Sequence, residues 1–163
     1  MRNSTFKSHS PTLMKKLILS LVFTLGYIAL VAAQESYDEA LAKKLGADDY
    51  GMKKYVMAFL LRGDRASEYT PEQRQEIQSG HMANIGKMAD MGKLIVAGPF
   101  FGNDDLRGIY IFDVQNIEEA KTLTETDPAI QAGVLKMDLK EWYGSAALML
   151  LPDLYPKVTK TSF

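Results

Sequence analysis

Apolar residues along the chain group into runs of strand length that are separated by segments with helix signals. Four segments have the length and composition of β-strands: residues 55–61, 93–100, 109–114 and 134–143. The last segment alternates apolar with charged residues, which is typical of a strand with one face in water. The sequence therefore predicts a sheet of four strands.

The segments between these runs carry start and stop signals of helices. In the longer segment, Thr70 is a predicted N-cap, Pro71 takes the first helical position, and Gly92 ends the helix. A second helix is predicted after Asn116, and a short helical turn is predicted after Asp127. The order is β-α-β-β-α-β, which predicts a ferredoxin-like α+β fold with an antiparallel sheet and two helices on one face.

The second face of such a sheet has no helices to cover it. Tyr55, Met57, Phe59, Tyr110 and Phe112, or the residues that alternate with them, are expected to lie there. Exposed apolar patches of this size mark partner surfaces. We therefore expect a homodimer in which two sheets pack face to face.

The first 33 residues have the pattern of a secretory signal peptide. Residues 1–16 include four basic and no acidic side chains, residues 17–33 are apolar, and the segment ends in two alanines before a polar stretch. A run of 17 apolar residues approaches the length that spans a bilayer, so an uncleaved anchor is the alternative, and Met14 is an alternative start. We expect cleavage and a periplasmic or secreted protein that meets a membrane only if the leader stays uncleaved.

The chain after residue 33 divides into three parts. Residues 34–52 form a polar lead-in that could hold a short helix ending at Gly46. Residues 53–145 contain the four strands and two helices of the predicted domain. Residues 146–163 are apolar for a terminus, so we expect this tail to pack on the domain or on a partner chain.

Charge and composition exclude several kinds of site. Without the four basic residues of the leader, 15 Lys and Arg face 20 Asp and Glu, and the net charge is −5. An acidic chain without basic clusters is not expected to bind nucleic acid. No cysteine is present, and His81 is the one histidine after the leader, so one chain offers no thiolate and no two-histidine metal site. We expect no metal and no cofactor.

The candidate chemistry centres on His81. Ile77, His81, Ile85 and Met88 are spaced by four, four and three residues, so they share the helix face that looks at the sheet. An unpartnered imidazole there would cost about 1–3 kcal/mol, so it must have a partner. From the pattern alone, a core histidine bonded to a backbone carbonyl is favoured over a catalytic group. For Asp127, helix capping is favoured in the same way.

Four further residues are candidates for contacts with a small-molecule ligand. Gly98 and Pro99 end a strand in a turn that leaves backbone N–H groups free. Arg62 and Arg107 lie at loop edges, where a guanidinium could bind a carboxylate. Ordinary turn and solvent-exposed roles explain these four residues equally well.

Four motifs follow one another in an order that resembles the YCII-related family: "HMANIGKMADMGKLIVAGPF", "RGIYIFDV", "IEEA" and "TDPAIQAGV", over roughly residues 54–143. The resemblance implies a dimeric α+β barrel built from ferredoxin-like protomers. It also implies an active-site dyad of the helix histidine and the aspartate of the Asp-Pro pair, which are His81 and Asp127 here. A carboxylate on one ring nitrogen fixes the tautomer and leaves the other nitrogen to take or give a proton. The resemblance therefore implies a small-molecule lyase or isomerase.

Two alternatives remain open. His81 could ligate haem, as in other dimeric α+β barrels, and the protein would then show a Soret band. The dyad could instead only hold a pocket together in a non-catalytic small-ligand-binding or accessory module. In that case a His81→Ala substitution would lower stability without any loss of activity. No residue pattern selects a substrate.

Overall fold

The computed structural model describes residues 37–161. The sheet and the helices that pack on it belong to one compact unit that begins at Leu41. The predicted signal peptide, residues 1–33, lies outside the described residues and stays a prediction. Within residues 37–161, no helix has the length and apolar character needed to cross a membrane.

The observed elements confirm the predicted order. They are α1 Glu39–Leu45, β1 Met52–Arg62, α2 Pro71–Asp90, β2 Leu94–Pro99, β3 Leu106–Phe112, α3 Ile117–Thr124, α4 Pro128–Gln131, β4 Leu135–Ser145, a 3₁₀ helix Ala146–Leu150 and α5 Leu151–Val158. From β1 to β4 the order is β-α-β-β-α-β, with the short α4 added before the last strand. The fold is thus α+β and ferredoxin-like.

The four strands form one antiparallel sheet in the order β2-β3-β1-β4. Residues that pair directly across antiparallel strands share a face of the sheet. Three such rows face the helices: Val56, Phe112 and Leu94; Ala58, Tyr110 and Ala97; Leu60, Gly108 and Pro99. Most of these residues belong to the hydrophobic core, which is closed from the helix side by Met88 of α2 and Ala120 of α3.

Local signals determine where α2 begins and ends. Thr70 accepts a hydrogen bond from the Gln73 backbone N–H, the Gln73 side chain accepts one from the Thr70 N–H, and Pro71 takes the first helical position. At the other end, Gly92 has φ +68°, a left-handed conformation that suits glycine. These caps fix the length of the helix that carries His81.

The structure decides between the alternating residues that the sequence left open for the uncovered sheet face. Tyr110 and Phe112 lie in the helix-side core. Every alternate position of β3 around them is apolar, so the sequence alternation could not choose which set faces the helices. Tyr55, Met57 and Phe59 alternate with the core residues of β1 and lie on the open face, as predicted.

The segments that flank the sheet are helical. In the lead-in, α1 ends at Leu45, and Gly46 follows with φ +71°, but Met52 already belongs to β1 and not to the lead-in. In the tail, α5 lies beside β2 and is only eight residues long. Its side chains at i, i+3, i+4 and i+7 form an exposed apolar stripe: Leu151, Leu154, Tyr155 and Val158.

Candidate active site

His81 and Asp127 are in direct contact, although 46 positions separate them in the sequence. His81 Nδ1 lies 2.7 Å from Asp127 Oδ2. Solvent reaches 9% of the His81 side chain and none of the Asp127 side chain. The partner of His81 is therefore a carboxylate. The prediction from the helix pattern, a backbone carbonyl as partner, was wrong.

Asp127 also caps a helix. Its Oδ1 accepts a hydrogen bond of 2.8 Å from the Ala129 backbone N–H at the start of α4, where Pro128 takes the first helical position. The sequence had favoured capping over a role beside the imidazole. Because a carboxylate has two oxygens, Asp127 performs both roles at once.

The contact with Asp127 defines the protonation pattern of the ring. An ionised carboxylate only accepts hydrogen bonds, so beside it His81 Nδ1 carries the ring proton and donates a hydrogen bond to Asp127 Oδ2. In the neutral imidazole, Nε2 is then left as an acceptor. The second nitrogen is consequently the group that can take a proton from another molecule.

Tyr110 faces the second ring nitrogen. Its hydroxyl lies 3.4 Å from His81 Nε2, and the two rings are nearly parallel, with centroids 6.4 Å apart and 19° between their planes. Burial, and to a lesser degree the negative charge of Asp127, raise the pKa of Tyr110 well above its usual value. The phenol therefore stays protonated and can act as a hydrogen-bond donor.

Two more contacts attach α2 to the segment that contains Asp127. The Thr126 hydroxyl lies 2.9 Å from the buried Asn84 Oδ1. A Cβ on Gly80 would lie 2.9 Å from Pro128 Cγ, so a glycine here allows the helix and the proline to approach closely. The close approach at Gly80 and the hydrogen bonds of His81 and Asn84 thus hold the imidazole against the Asp127 carboxylate.

Sequence reasoning missed Tyr110 and Asn84 as members of this site. Asn84 is three residues after His81, so the signal for it was a second polar residue on the inward helix face. For Tyr110 the available signal was weak, because it stands within the apolar run of β3.

The predicted turn residues Gly98 and Pro99 lie on different sides of the sheet. Pro99 pairs with Gly108 in the row next to that of Tyr110, on the helix side, and it is exposed. Gly98 pairs with Ile109 and faces the opposite side. Ligand contact by either residue stays a prediction.

The two predicted arginines have other surroundings. The Arg107 guanidinium donates to the carbonyl oxygens of Gly102 and Asp104, both at 3.3 Å, and so braces the β2–β3 loop. Arg62 is exposed at the end of β1, and its backbone N–H donates to the Asp105 carbonyl oxygen. No contact between either arginine and His81 is found within residues 37–161. The same range holds no cluster of three acidic or histidine side chains that could bind a metal.

Comparisons with known proteins cover the same part of the chain. A family model described as the YCII-related domain matches residues 56–143, which include His81 and Asp127. The uncharacterised protein YjpA of Bacillus subtilis (strain 168) is 29% identical over 73 residues, which are 45% of this chain and 84% of YjpA. A solved structure of 5-chloro-2-hydroxyhydroquinone dehydrochlorinase from Burkholderia phenoliruptrix AC1100, in complex with 2,5-dihydroxybenzoquinone, is also similar. It has 20% sequence identity and a TM-score of 0.40, and the match covers 55% of this chain and 93% of that chain.

Proposed function

The chain belongs to the YCII-related family, and on this premise we propose that it is a small-molecule lyase or isomerase. His81 transfers the proton, and Asp127 holds the imidazole in position. The observation that carries the proposal is the 2.7 Å contact between His81 Nδ1 and a fully buried carboxylate, which leaves Nε2 as the reactive nitrogen.

The chemistry follows from this arrangement. When Nε2 takes a proton from a carbon atom of the substrate, the positive charge that forms on the ring is stabilised by Asp127. Return of the proton to a different carbon completes an isomerisation, and departure of a leaving group completes an elimination. An isomerisation keeps the proton and the electron pair within one molecule, and an elimination releases the proton together with the leaving group and its electron pair. Neither route therefore requires an oxidant or a reductant.

Deuterium exchange tests the proposal without knowledge of the natural substrate. A panel of small enolisable carbonyl compounds is incubated with the protein in D₂O, and NMR measures the loss of C–H signals. We expect the wild type to exchange at least one compound faster than buffer does, and His81→Gln to abolish the acceleration. The control is Glu76→Gln, an exposed position on the same helix, which should exchange like the wild type. Equal exchange by wild type and His81→Gln would contradict the proposal.

A second candidate function is non-catalytic binding of a small molecule. It is favoured by the two roles of Asp127, because the same carboxylate that touches His81 also caps α4 and thereby joins two helices. In this case His81→Gln lowers the melting temperature, and the wild type binds compounds of the panel without exchanging their protons.

We also propose that the chain pairs with a second copy through its open sheet face. Apolar side chains of β1 and β3 lie there in register: Met57 with Ile111, Phe59 with Ile109, and Leu61 with Leu106. Ile111 is buried, and the other five are half-buried. Sedimentation equilibrium of the purified protein should give twice the chain mass, and a monomer at all concentrations would contradict the pairing.

The predicted leader makes a periplasmic or secreted location our proposal for the mature protein. N-terminal sequencing of the protein expressed from its full gene tests it. We expect the mature chain to begin near Gln34, and a mature chain that retains residues 1–33 would contradict cleavage.

A further inference from the structure

The geometry points to Tyr110 as a catalytic residue that binds the substrate's oxygen and stabilises the negative charge formed there while His81 removes a proton from the neighbouring carbon. The substrate is then a small carbonyl compound that reacts through its enolate. This inference rests on the proposed function and adds an oxyanion-binding group to it.

Tyr110 is flanked on the sheet by two small side chains. It pairs directly with Ala58 on one side and with Ala97 on the other, and all three residues face the helices. The phenol therefore stands between two methyl groups, with His81 of α2 opposite its hydroxyl. In the adjacent row, Val56, Phe112 and Leu94 are all buried, so that end of the helix-facing surface is closed.

Solvent reaches the same sheet face from the β2 edge. Ala97 is exposed although its direct neighbour Tyr110 is buried, and Pro99 in the next row is also exposed. The exposed edge and the buried phenol thus lie side by side on one surface. The proposed ligand enters past Ala97, the exposed residue that pairs directly with Tyr110.

The Tyr110 hydroxyl can exchange its present partner for a ligand. Its 3.4 Å separation from His81 Nε2 is longer than the ~2.8 Å typical of hydroxyl hydrogen bonds, so little is lost when the contact opens. The ring itself is held by Phe112, which it meets edge to face at 5.7 Å between centroids and 87° between planes. Burial also keeps the phenol protonated, as a catalytic donor must be.

The step is balanced as follows. His81 Nε2 takes a proton from the carbon next to the carbonyl, and the C–H electron pair becomes a C=C bond. The π electrons of the carbonyl move onto its oxygen, which accepts a hydrogen bond from Tyr110. When the carbonyl re-forms, one of two steps completes the reaction. Either His81 returns the proton to another carbon, or a leaving group departs with its electron pair and takes up the proton that His81 holds. Donors of this kind act because they are already aimed at the oxygen where charge develops.

Binding of 4-nitrophenolate, whose oxygen resembles an enolate, tests the donor directly through its absorbance. We expect the wild type to bind it with a spectral shift, and Tyr110→Phe to weaken binding by about 10- to 100-fold and remove the shift, as loss of a hydrogen bond to a charged oxygen requires. The control is Tyr55→Phe, which removes the hydroxyl of another buried tyrosine, one that donates to the Ser145 carbonyl oxygen at 3.0 Å on the other face. It should bind the probe like the wild type.

A probe that binds wild type and Tyr110→Phe equally, or binds neither, overturns the inference. In the deuterium-exchange assay, Tyr110→Phe should lower the turnover rate by about 100-fold with little change in KM. If Tyr110→Phe exchanges deuterium as fast as the wild type, the role of Tyr110 is overturned and the proposed function is not. Absence of exchange in the wild type overturns the proposed function instead, so the two failures are distinguishable.

Discussion

The two faces of the central sheet bury different kinds of side chain. On the helix side, His81, Asn84, Thr124 and Asp127 are buried together with the phenol of Tyr110. On the open side, β1 presents the apolar side chains of Met57, Phe59 and Leu61, and the Tyr55 hydroxyl donates to a backbone carbonyl. The β4 residues paired with these three apolar residues are charged: Lys140, Asp138 and Lys136. Within residues 37–161, every fully buried side-chain nitrogen or oxygen has a hydrogen-bond partner.

This difference bears on what each face is for. A buried ion pair is weak evidence for a stabilising role, since hydrophobic residues of similar volume often serve stability as well or better. The helix side nevertheless places an imidazole, a carboxylate and a phenol in contact where apolar side chains would pack. The proposed proton-transfer site requires such a contact, whereas stability alone does not. The open side carries no comparable chemistry and is suited to association.

The largest expected effect is that of Asp127→Asn on catalysis. Asparagine keeps an oxygen for the Ala129 N–H but turns an N–H group toward His81. Nδ1 must then accept, so the ring proton moves to Nε2, which can no longer take a proton from the substrate. We expect the exchange rate to fall by about 10⁴-fold while the fold is retained, as judged by circular dichroism.

Asp113→Asn is the matched control for this change. Asp113 pairs with Lys53 at 2.9 Å at the surface, away from the imidazole, and its variant should exchange at the wild-type rate. If Asp127→Asn also exchanged protons at the wild-type rate, the polar residues on the helix side of the sheet would have no role in proton transfer.

The next effect is that of Asp127→Ala on stability. Alanine removes both oxygens, leaving the Ala129 N–H and His81 Nδ1 buried without partners. We expect the free energy of unfolding, measured by urea titration, to fall by about 3 kcal/mol. Asp64→Ala removes the partner of Lys136 where the carboxylate side chain is 88% exposed, and should cost no more than about 1 kcal/mol. If the two variants lost the same free energy of unfolding, the burial of Asp127 would add nothing to the stabilisation by its contacts.

The sequence was sufficient to predict the fold because its signals are local. Thr70 and Pro71 mark the start of α2, Gly92 follows its end, and the strand runs are separated by polar turns. The sheet order and the layer of helices then follow from the small number of ways to connect β-α-β-β-α-β. The alternation within β4 also indicated which residues face the helices. Leu135, Met137 and Leu139 pack against the core, and the residues between them are charged.

The site could be predicted only in part because its contacts are not local. His81 and Asp127 could be named from family motifs, but their pairing depends on how α2 packs on the turn before α4. Tyr110 could not be placed, since its neighbours Ile109 and Ile111 are apolar as well, and its face follows only from its pairing with Ala58 of β1. Asn84 contacts Thr126 across 42 positions, which no spacing rule indicates.

A smaller effect is expected for Phe59→Lys on association. If two open faces pack together, each copy loses one buried aromatic side chain and gains a charge at the centre of the contact. We expect the dimer dissociation constant, measured by sedimentation equilibrium, to rise by about 30- to 100-fold. Lys54→Gln, an exposed position on the same strand, should leave it unchanged. Unchanged association of Phe59→Lys would mean that this face is not the interface.

The smallest effect compares two glycines of α2. Gly86 has open space where a Cβ would lie, so Gly86→Ala should raise the free energy of unfolding by about 0.5–1 kcal/mol through helix propensity alone. The same gain at Gly80 is opposed by a contact of 2.9 Å with Pro128 Cγ, in a ring that cannot swing away. Because Pro128 follows Asp127, relief of this contact must shift the carboxylate from His81. We therefore expect Gly80→Ala to lower stability by about 1 kcal/mol and to slow proton exchange as well. A Gly80→Ala variant as stable and active as Gly86→Ala would show that the close approach of α2 and α4 is not what holds the imidazole in place.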